Sequence, residues 1–443
     1  MDTSVLRYRY RAYPTAKQRR SISRLLGGCR VAFNDALDYV RAEHDAGRKY
    51  PGLTAIQHQV LTVGKKRPDR EWMNEVSGVA LIQAVRDMQA GYGNFFASVQ
   101  GKRKGRKVSP PRYRSRRDSV QSARFTRAAR FRVTKTGERQ AVVRLTGIGD
   151  LKFVLSRDLP SEPSSVTLIR EADGRTYVSF VVRVENEQAA TTNQACGIDA
   201  GLSNFATVIS VDSNTGEATS SKIDTPLFLR RRARALARSQ RAMSRKQAGS
   251  SNRRKAKVRV AVLHRKVREA RLDHAHQHAA KIVASHDVIC VEDLAVAGMA
   301  KTKLAKSVND QGMGQFLRLL SEKAARQGKA FVRVDRYFPS TQICSHCKSV
   351  TGPKGRSQIH VREWTCAECG VSHDRDINAA RNILEEGLRL LQAGSSLKLS
   401  CDADGQSESL NACGDSRSPS VMPVASVGEA GRIAGDRQKE RVA

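Results

Sequence analysis

Four of the nine cysteines stand in two C-x-x-C pairs, the most specific chemical pattern in the chain. The pairs are Cys344/Cys347 and Cys366/Cys369, and eighteen residues separate them. Zn²⁺ takes four ligands in a tetrahedron, and each pair supplies two thiolates from one tight turn. Because four thiolates leave no open coordination position, we expect a structural zinc site and not a catalytic one.

Three carboxylates stand at the ends of predicted elements that lie far apart in the sequence. Asp199 lies in the strand-like GIDAGLSNFATV, Glu292 ends the apolar run VICVE, and Asp376 begins a helical pattern in HDRDINAARNIL. Acids of this kind, brought together, can hold two Mg²⁺ or Mn²⁺ ions about 3.5–4 Å apart for phosphodiester cleavage. Single acids at strand ends are more often caps or ion-pair partners, so the spacing alone leaves both interpretations open.

The chain of 443 residues is strongly basic, with 78 Lys+Arg against 43 Asp+Glu and a net charge of +35. Such a charge attracts polyanions, so we expect nucleic acid as the partner. Residues 230–271 hold 17 Lys/Arg and the single acid Glu269, and the acid-free stretch 102–117 holds nine Lys/Arg. Few of these charges can pair within their own segments, which favours contact with a nucleic-acid backbone. Tyr113 and Phe125 could stack on bases or belong to a core.

The other potential metal ligands are expected to be ordinary side chains. His274 and His278 share one helical face, but no third ligand accompanies them, so a polar face is expected there. His346 and His373 lie near the cysteine pairs and are expected at the surface. The isolated thiols are Cys29, Cys196, Cys290, Cys401 and Cys413.

Composition and the N-terminus limit the class of protein. Hydrophobic residues make up 40% of the chain, enough to bury several cores. The start, MDTSVLRYRYRAYPT, lacks the apolar stretch of a signal peptide, and no run of apolar residues is long enough to span a bilayer. We therefore expect a cytoplasmic protein that does not enter a membrane.

Hydrophobic periodicity divides the elements that position these residues into two groups. In the first half, residues 4–10 alternate as a strand does, and helical patterns cover about 15–45 and 75–98. Short alternating segments fill residues 119–188. This pattern predicts a β module over residues 1–190 with helices inserted near its start.

From Ala195 onward the pattern changes. A helical region covers 228–285 with a break near Gly249–Asn252, and Asp287–Glu292 is a short buried strand. The Ser/Gly/Asp-rich tail, 393–443, is expected to be disordered. Further strands are predicted within Cys196–Ser210, Ala218–Ile223 and 329–334, and further helices at about 311–327 and 376–392.

Several segments, in this order, carry a family resemblance. GIDAGLSNFATV, VEDLAVAGM, DRYFPSTQICSHC and CGVSHDRDINAARNIL resemble the three RuvC nuclease motifs and the zinc ribbon of TnpB proteins. TnpB is a transposon-encoded family akin to type V CRISPR effectors. LRYRYRAYPTAKQRR and VSGVALIQAVRDMQAGYGNFF also resemble that family, so the resemblance covers about residues 4 to 392.

The resemblance implies an α+β multidomain fold. An N-terminal β-barrel-like wedge module, residues 1–190, would contain a helical recognition insertion at about 12–110. An RNase H-like (RuvC) α/β core would follow, with a zinc ribbon inserted into it. The core would comprise 191–340 and 371–392, and the ribbon 341–370.

The resemblance also implies site residues. Asp199, Glu292 and Asp376 would be the catalytic acids that bind Mg²⁺ or Mn²⁺, and the four paired cysteines would bind Zn²⁺. Asp374 competes with Asp376, which is preferred because it directly precedes the I-N-A-A stretch. Asp293 would point to the opposite face of its strand from Glu292.

The function implied is that of an RNA-guided DNA endonuclease of an insertion-sequence element. Guide RNA and target double-stranded DNA would be its partners, with cleavage next to a short adjacent motif, in a prokaryotic cytoplasm and on the nucleoid when bound to DNA. Protein partners are left open. The alternatives are a guided repressor that binds DNA without cutting it, an RNA-independent transposase, and a CRISPR-associated effector.

Overall fold

The computed structural model describes residues 3–103, 105, 107–186, 188–355, 358 and 360–394. The tail predicted at 393–443 therefore lies outside the described residues, apart from its first two. None of the described helices combines the length and the apolar character needed to cross a bilayer. The described strands form two large sheets and one small hairpin.

The first half folds as a seven-stranded sheet with helices inserted after its first strand. Neighbouring strands are antiparallel in the order β2-β6-β7-β1-β5-β4-β3. This arrangement confirms the predicted strands and both predicted helices. The strands are β1 (Thr3–Ala12), β2 (Val120–Thr126), β3 (Arg132–Gly137), β4 (Gln140–Leu145), β5 (Gly149–Val154), β6 (Ser165–Glu171) and β7 (Thr176–Glu185). The helices are α1 (Ala16–Asp45), α2 (Leu53–Gln57) and α3 (Gly78–Val99).

The sheet is open, which corrects the prediction of a barrel-like module. β2 and β3 are its outer strands, and no pairing joins them in the described part of the chain. β1 pairs with β7 along its full length but with β5 only at Ala12 and Phe153. Helix α3 packs against β2, so a helix lies beside the outer strand that a closed barrel would have paired with β3.

Alternation along the strands decides which side chains enter the core. Tyr10 and Ala12 of β1 are buried, and the Tyr10 ring packs against Phe153 and Phe180 with centroid distances of 5.4 and 5.9 Å. Phe125 of β2 is fully buried in the same core. The sequence left open whether Phe125 stacks on bases or belongs to a core, and in the structure it belongs to the core.

The second half contains a mixed five-stranded sheet in the order β10-β9-β8-β11-β12. β8, β11 and β12 are parallel, and β9 is antiparallel to both of its neighbours. The strands are β8 (Gln194–Asp199), β9 (Asn204–Asp212), β10 (Ala218–Asp224), β11 (Val288–Glu292) and β12 (Ala330–Val334). The helices are α4 (Phe228–Ser244), α5 (Ser251–Ser285), α6 (Val296–Met299), α7 (Ala305–Gln311), α8 (Met313–Arg326) and α9 (Arg375–Gln392).

Helices cover both faces of this sheet. α5 and α8 pack on one face through a cluster that contains Ile198 and Phe316, and α9 packs on the other against Cys290 and Val332. The predicted strands and the predicted break in the basic helical region are confirmed. The break occurs where Gly249 has a φ of +81° and Ser250 caps α5 by accepting a hydrogen bond from the next turn. The sequence pattern did not predict the short helices α2, α6 and α7.

The cysteine-bearing segment lies between β12 and α9. It contains the antiparallel hairpin of β13 (Glu363–Thr365) and β14 (Ser372–Asp374). β14 runs directly into α9, so the helix that bears Asp376 begins where the hairpin ends.

Candidate active site and metal centre

Strand pairing brings Asp199 and Glu292 to the same edge of the mixed sheet. β8 and β11 are neighbouring parallel strands, with Ile198 opposite Val291. Asp199 and Glu292 follow these two residues and end their strands, and both are partly buried. The carboxyl ends of parallel strands are where α/β sheets bind ligands, so the two acids stand where chemistry is expected.

Close packing of α9 on the sheet adds Asp376 to this edge. A Cβ atom on Gly197 would lie 2.2 Å from the carbonyl oxygen of Ala380, and one on Gly387 would lie 2.3 Å from Cys290 Sγ. Both glycines thus allow an approach that any side chain would block. The first turn of α9, with the buried Asp376, is thereby held against the end of β8.

Burial and neighbouring carboxylates perturb two of the three acids, Asp199 and Glu292. Burial raises the pKa of Asp199 to about 7, and the charge of Asp376 adds to the rise. Burial likewise raises the pKa of Glu292 to about 7, with Asp199 and Asp293 contributing. The fold therefore brings together all three predicted acids, as a buried cluster of like charges that a divalent cation would neutralise.

Two arginines that the sequence analysis did not single out border this cluster. Arg362 Nη1 and Arg375 Nε each lie 3.5 Å from Asp376 Oδ1. Arg362 also donates a hydrogen bond to the Ser203 hydroxyl group. Arg375 directly precedes Asp376, so the sequence could have indicated its position beside the acid. Arg362 comes from the cysteine-bearing segment, and only the fold brings it next to Asp376.

Asp374, the competing third acid, has a different position. Its carboxylate caps α9 by accepting hydrogen bonds from the backbone N–H groups of Asp376 and Ile377 at 3.1 and 3.0 Å. Its other oxygen pairs with Lys222 Nζ at 2.6 Å. Burial acts to raise the pKa of Asp374, but the hydrogen bonds from Lys222 and the helix outweigh burial and lower it. Asp374 thus orients the helix, while Asp376 is the acid whose charge raises the pKa of Asp199.

The four paired cysteines form a compact cluster. Their Sγ atoms all lie within 4.8 Å of one another, with 3.7 Å between Cys344 and Cys369 and 3.6 Å between Cys347 and Cys366. Zn–S bonds of about 2.3 Å in a tetrahedron place sulfur atoms roughly 3.8 Å apart, so the four thiols fit one zinc ion. Among the described side chains no other group of three or more potential ligands is gathered this closely, so the three acids of the sheet edge lie farther apart than the four thiols.

Hydroxyl groups beside the cluster stabilise the thiolate form of Cys366. Hydrogen bonds from Ser349 and Thr351 lower the pKa of the Cys366 thiol to about 5. His373 Nε2 lies 3.0 Å from Cys344 Sγ, so this histidine contacts a ligand instead of being a plain surface residue.

Helix α9 is also bound to the first cysteine pair. Asn378 is buried, and its side-chain oxygen accepts a hydrogen bond from the backbone of Ser345 at 2.9 Å. Its amide donates to the carbonyl oxygen of Ile343 at 2.8 Å. The four-cysteine cluster is therefore attached to the helix that bears Asp376.

Comparison with known proteins decides the family. A protein of Streptomyces pristinaespiralis, described as a "Putative RNA-guided DNA endonuclease", is 36% identical over 402 residues, which cover 88% of this chain and 91% of that protein. TnpB-like protein L79 of Acanthamoeba polyphaga mimivirus is 28% identical over 257 residues, 54% of this chain and 46% of that protein. The chain belongs to the TnpB family. The "Putative RNA-guided DNA endonuclease InsQ" of Escherichia coli (strain K12) is 26% identical over 406 residues, 87% of this chain and 93% of that protein.

Family models match three parts of this TnpB-family chain. Residues 179–303 match OrfB of IS605, described as "Probable transposase", and 314–383 match the "Cas12f1-like, TNB domain". Residues 1–49 match a "Helix-turn-helix domain", although the structure has one strand and the single long helix α1 there. A solved Cas12f1–sgRNA–target DNA complex is 10% identical, with a TM-score of 0.49, and the match covers 86% of this chain and 98% of that chain.

Histidines of α5 lie next to the mixed sheet. The His274 and His278 rings are 4.3 Å apart, and both pack beside Phe205. Burial lowers the pKa of His274 to about 4, and His278 adds to the effect. In this TnpB-family chain the two half-buried rings are part of the packing around Phe205, which differs from the polar face expected from the sequence.

The basic helices divide into an exposed part and a paired part. No residue of α4 is buried, and Arg231, Arg234 and Arg238 are exposed on it. By contrast, Arg265 and Arg268 of α5 pair with acids on the first sheet, at 2.7 and 2.8 Å. Within residues 230–271, the surface predicted to contact nucleic acid is therefore reduced to α4 and the first turns of α5, because Arg265 and Arg268 join the two halves of the protein.

Proposed function

We propose that this protein is an RNA-guided DNA endonuclease of an insertion-sequence element. The observation that carries the proposal is the meeting of Asp199, Glu292 and Asp376 at one sheet edge, although 93 and 84 residues separate them in sequence. The family membership supports the same function. Residues 191–340 and 371–392 would form the RuvC-like nuclease core, and 341–370 its zinc ribbon.

The three carboxylates suit hard divalent cations. Oxygen donors favour Mg²⁺ or Mn²⁺ over softer metals, while the four thiolates favour Zn²⁺. A bound pair of such ions supplies an activated water and stabilises the leaving oxygen in phosphodiester hydrolysis. The raised pKa values of Asp199 and Glu292 support this assignment, because a buried like-charged cluster is costly unless cations neutralise it.

The chain's own residues would position the substrate strand. Asp374 fixes the first turn of α9 and so orients the Asp376 carboxylate. The Arg362 side chain is 45% exposed beside Asp376, which places a bidentate donor where a backbone phosphate would approach. The same single site would cut the two DNA strands in turn.

Nucleic acid would bind through charge. The exposed arginines of α4 and the basic stretch 102–117 would contact the backbones of a structured guide RNA and its DNA duplex. Base pairing would then select the target, so few side chains need to read bases.

The test has two steps. RNA that co-purifies with the protein, expressed with its native downstream flank, is sequenced, and a plasmid matching the protected RNA is offered for cleavage. Magnesium-dependent double-strand breaks by the wild type, and none by Asp199→Ala, are the expected result. Equal cleavage by Asp199→Ala would remove the catalytic assignment.

One observation favours a second candidate, because the matching OrfB model is described as "Probable transposase". An RNA-independent transposase would use the same acids for strand transfer. It would bind the ends of its element in sequence-specific fashion and would hold no discrete RNA. Absence of enriched RNA from a folded, zinc-loaded preparation would favour this candidate.

A further inference from the structure

Tyr337 is an aromatic side chain held out in solvent. It is 85% exposed, more than any other large apolar or aromatic side chain in the described part of the chain. The next residue, Phe338, packs against the core cluster beneath α9. Phe338 supplies the packing of this loop on the core, so the exposed Tyr337 ring is available to contact a ligand.

The loop that holds Tyr337 is rigid. Asp335 accepts a hydrogen bond from the Tyr337 backbone N–H at its carboxylate, at 2.8 Å, and another from the Phe338 N–H at its carbonyl oxygen, at 3.0 Å. Arg336 is bound to the Asp293 carboxylate. The ring is therefore presented from a fixed backbone, which reduces the entropy lost on binding.

The loop lies at the carboxylate edge of the mixed sheet. β12 is parallel to β11, with Val334 opposite Glu292. The backbone N–H of Asp293 also bonds to the Val334 carbonyl oxygen at 2.9 Å. Tyr337 follows Val334 by three residues, so the loop that carries the ring begins at the sheet edge where Asp199 and Glu292 lie.

Arginines stand on both sides of the Tyr337 loop. Arg333 and Arg336 share the carboxylate of Asp293, with Arg333 at 3.9 Å, and both side chains are about half exposed. The Asp335 carboxylate in the same loop also acts on Arg336, so the local charges are balanced. An aromatic ring beside exposed guanidinium groups suits a nucleotide, because the base stacks on the ring while a guanidinium group donates hydrogen bonds to the phosphate.

We propose that Tyr337 is a stacking platform for a base of the single DNA strand that enters the carboxylate site. The inference deepens the proposed function and rests on it, because it assumes that DNA is the substrate of that site. Stacking contacts of this kind tolerate any sequence, which suits an enzyme whose target is chosen by base pairing.

The experiment measures stacking without cleavage. The background is the full-length Asp199→Ala protein, and the probe is a single-stranded oligodeoxynucleotide containing 2-aminopurine, whose fluorescence falls when it stacks. Tyr337→Leu removes the ring, and Tyr337→Phe keeps it. Quenching is expected with Tyr337 and with Tyr337→Phe, and Tyr337→Leu is expected to lose it and to bind about 5- to 150-fold more weakly.

The outcomes separate this proposal from the proposed function. Equal quenching and affinity with Tyr337→Leu would overturn the platform, even if the wild type cleaved its programmed target. Quenching by an oligoribonucleotide alone, and not by the deoxy probe, would overturn the assignment to DNA. Loss of quenching in Tyr337→Leu, together with no programmed cleavage by the wild type, would contradict the nuclease function but support base stacking on Tyr337. Unchanged melting temperature and zinc content show that each variant is folded, as expected for so exposed a side chain.

Discussion

The side-chain amide of Asn382 donates a hydrogen bond to the carbonyl oxygen of Ile343 at 2.7 Å, which joins helix α9 to the residue before the first zinc-cluster cysteine. The same amide group donates to the carbonyl oxygen of Ser340 at 2.8 Å. Asn382 is buried, so water cannot replace these bonds. Asp376 lies on the same helix. A change in the geometry of the four-cysteine cluster is therefore expected to change that of the carboxylate site.

Replacement of Asn382 by Ala is therefore expected to loosen both sites. The Ser340 carbonyl group loses its 2.8 Å donor, and the Ile343 carbonyl group keeps only the one from Asn378, which together cost about 1–3 kcal/mol of unfolding free energy. Zinc release to a chromogenic chelator should become faster, and programmed DNA cleavage should fall. Arg381→Ala, at the exposed neighbouring position, is the control and should change neither zinc release nor stability. Unaltered zinc release from Asn382→Ala would show that the link does not exist.

The close approach of α9 to β11 gives a steric prediction. Gly387→Ala would place a Cβ atom 2.3 Å from Cys290 Sγ, so the helix must move away from β11. We expect a loss of about 1–3 kcal/mol, as for overpacking in cores. Gly93→Ala, on the exposed side of α3 with nothing within 4 Å, should instead stabilise the protein slightly. Equal stability changes in the two variants, measured by urea unfolding, would contradict the close packing.

The two acids at the start of α9 are separable by substitution. Asp376→Asn keeps the shape of the side chain but removes its charge, and cleavage is expected to fall by at least about 100-fold. Asp374→Asn retains an N-cap residue, so the helix should persist and cleavage should fall far less. Cleavage rates at saturating Mg²⁺ decide between them, and the reverse order would make Asp374 the third acid.

Local patterns predicted most of the elements because burial imposes a period on them. The alternation in β1 and the wholly apolar run of β11 each reflect which faces are covered. Closure of the first sheet could not be predicted, since it depends on whether the outer strands β2 and β3 pair, and their local patterns are the same in an open and a closed sheet. The short helices α6 and α7 lack a period long enough to recognise.

The sequence predicted those site residues whose own side chains would do the chemistry. It did not predict the residues that matter only through their tertiary contacts. The cysteine pairs and the three acids have recognisable types and spacing. Arg362 and Asn382 have no such spacing, because their partners, Asp376 and Ile343, come from other elements. The charge run in α5 was expected to contact nucleic acid throughout, but acids of the first sheet pair with its later arginines.

The exposed arginines of α4 should set the salt dependence of nucleic-acid binding. Replacing Arg231, Arg234 and Arg238 together by Gln removes up to three phosphate contacts, so the slope of log K against log[salt] should become shallower by roughly 2–3. The measurement is fluorescence anisotropy with the co-purified RNA. The control replaces three arginines that local acids already hold: Arg48, Arg67 and Arg144. An equal change of slope in both variants would mean that the three α4 arginines contact the RNA no more than the three control arginines do.

Glu171 gives a pH-dependent prediction for the contact between the two halves. Burial acts to raise its pKa, but hydrogen bonds from Arg268 and Arg9 outweigh burial and lower the pKa. A carboxyl group whose pKa is lower in the folded state stabilises the fold above its unfolded pKa of about 4.3, and this contribution disappears as the pH falls below that value. Glu171→Gln should lower the free energy of unfolding by about 1–3 kcal/mol at neutral pH, and the difference from the wild type should shrink toward about pH 4 and below.

The matched control is Glu162→Gln, at a side chain that is 84% exposed, and its free energy of unfolding should stay within about 0.5 kcal/mol of the wild type. Urea unfolding across this range gives both values, and a difference that stays constant with pH would refute the ionic basis of the contact.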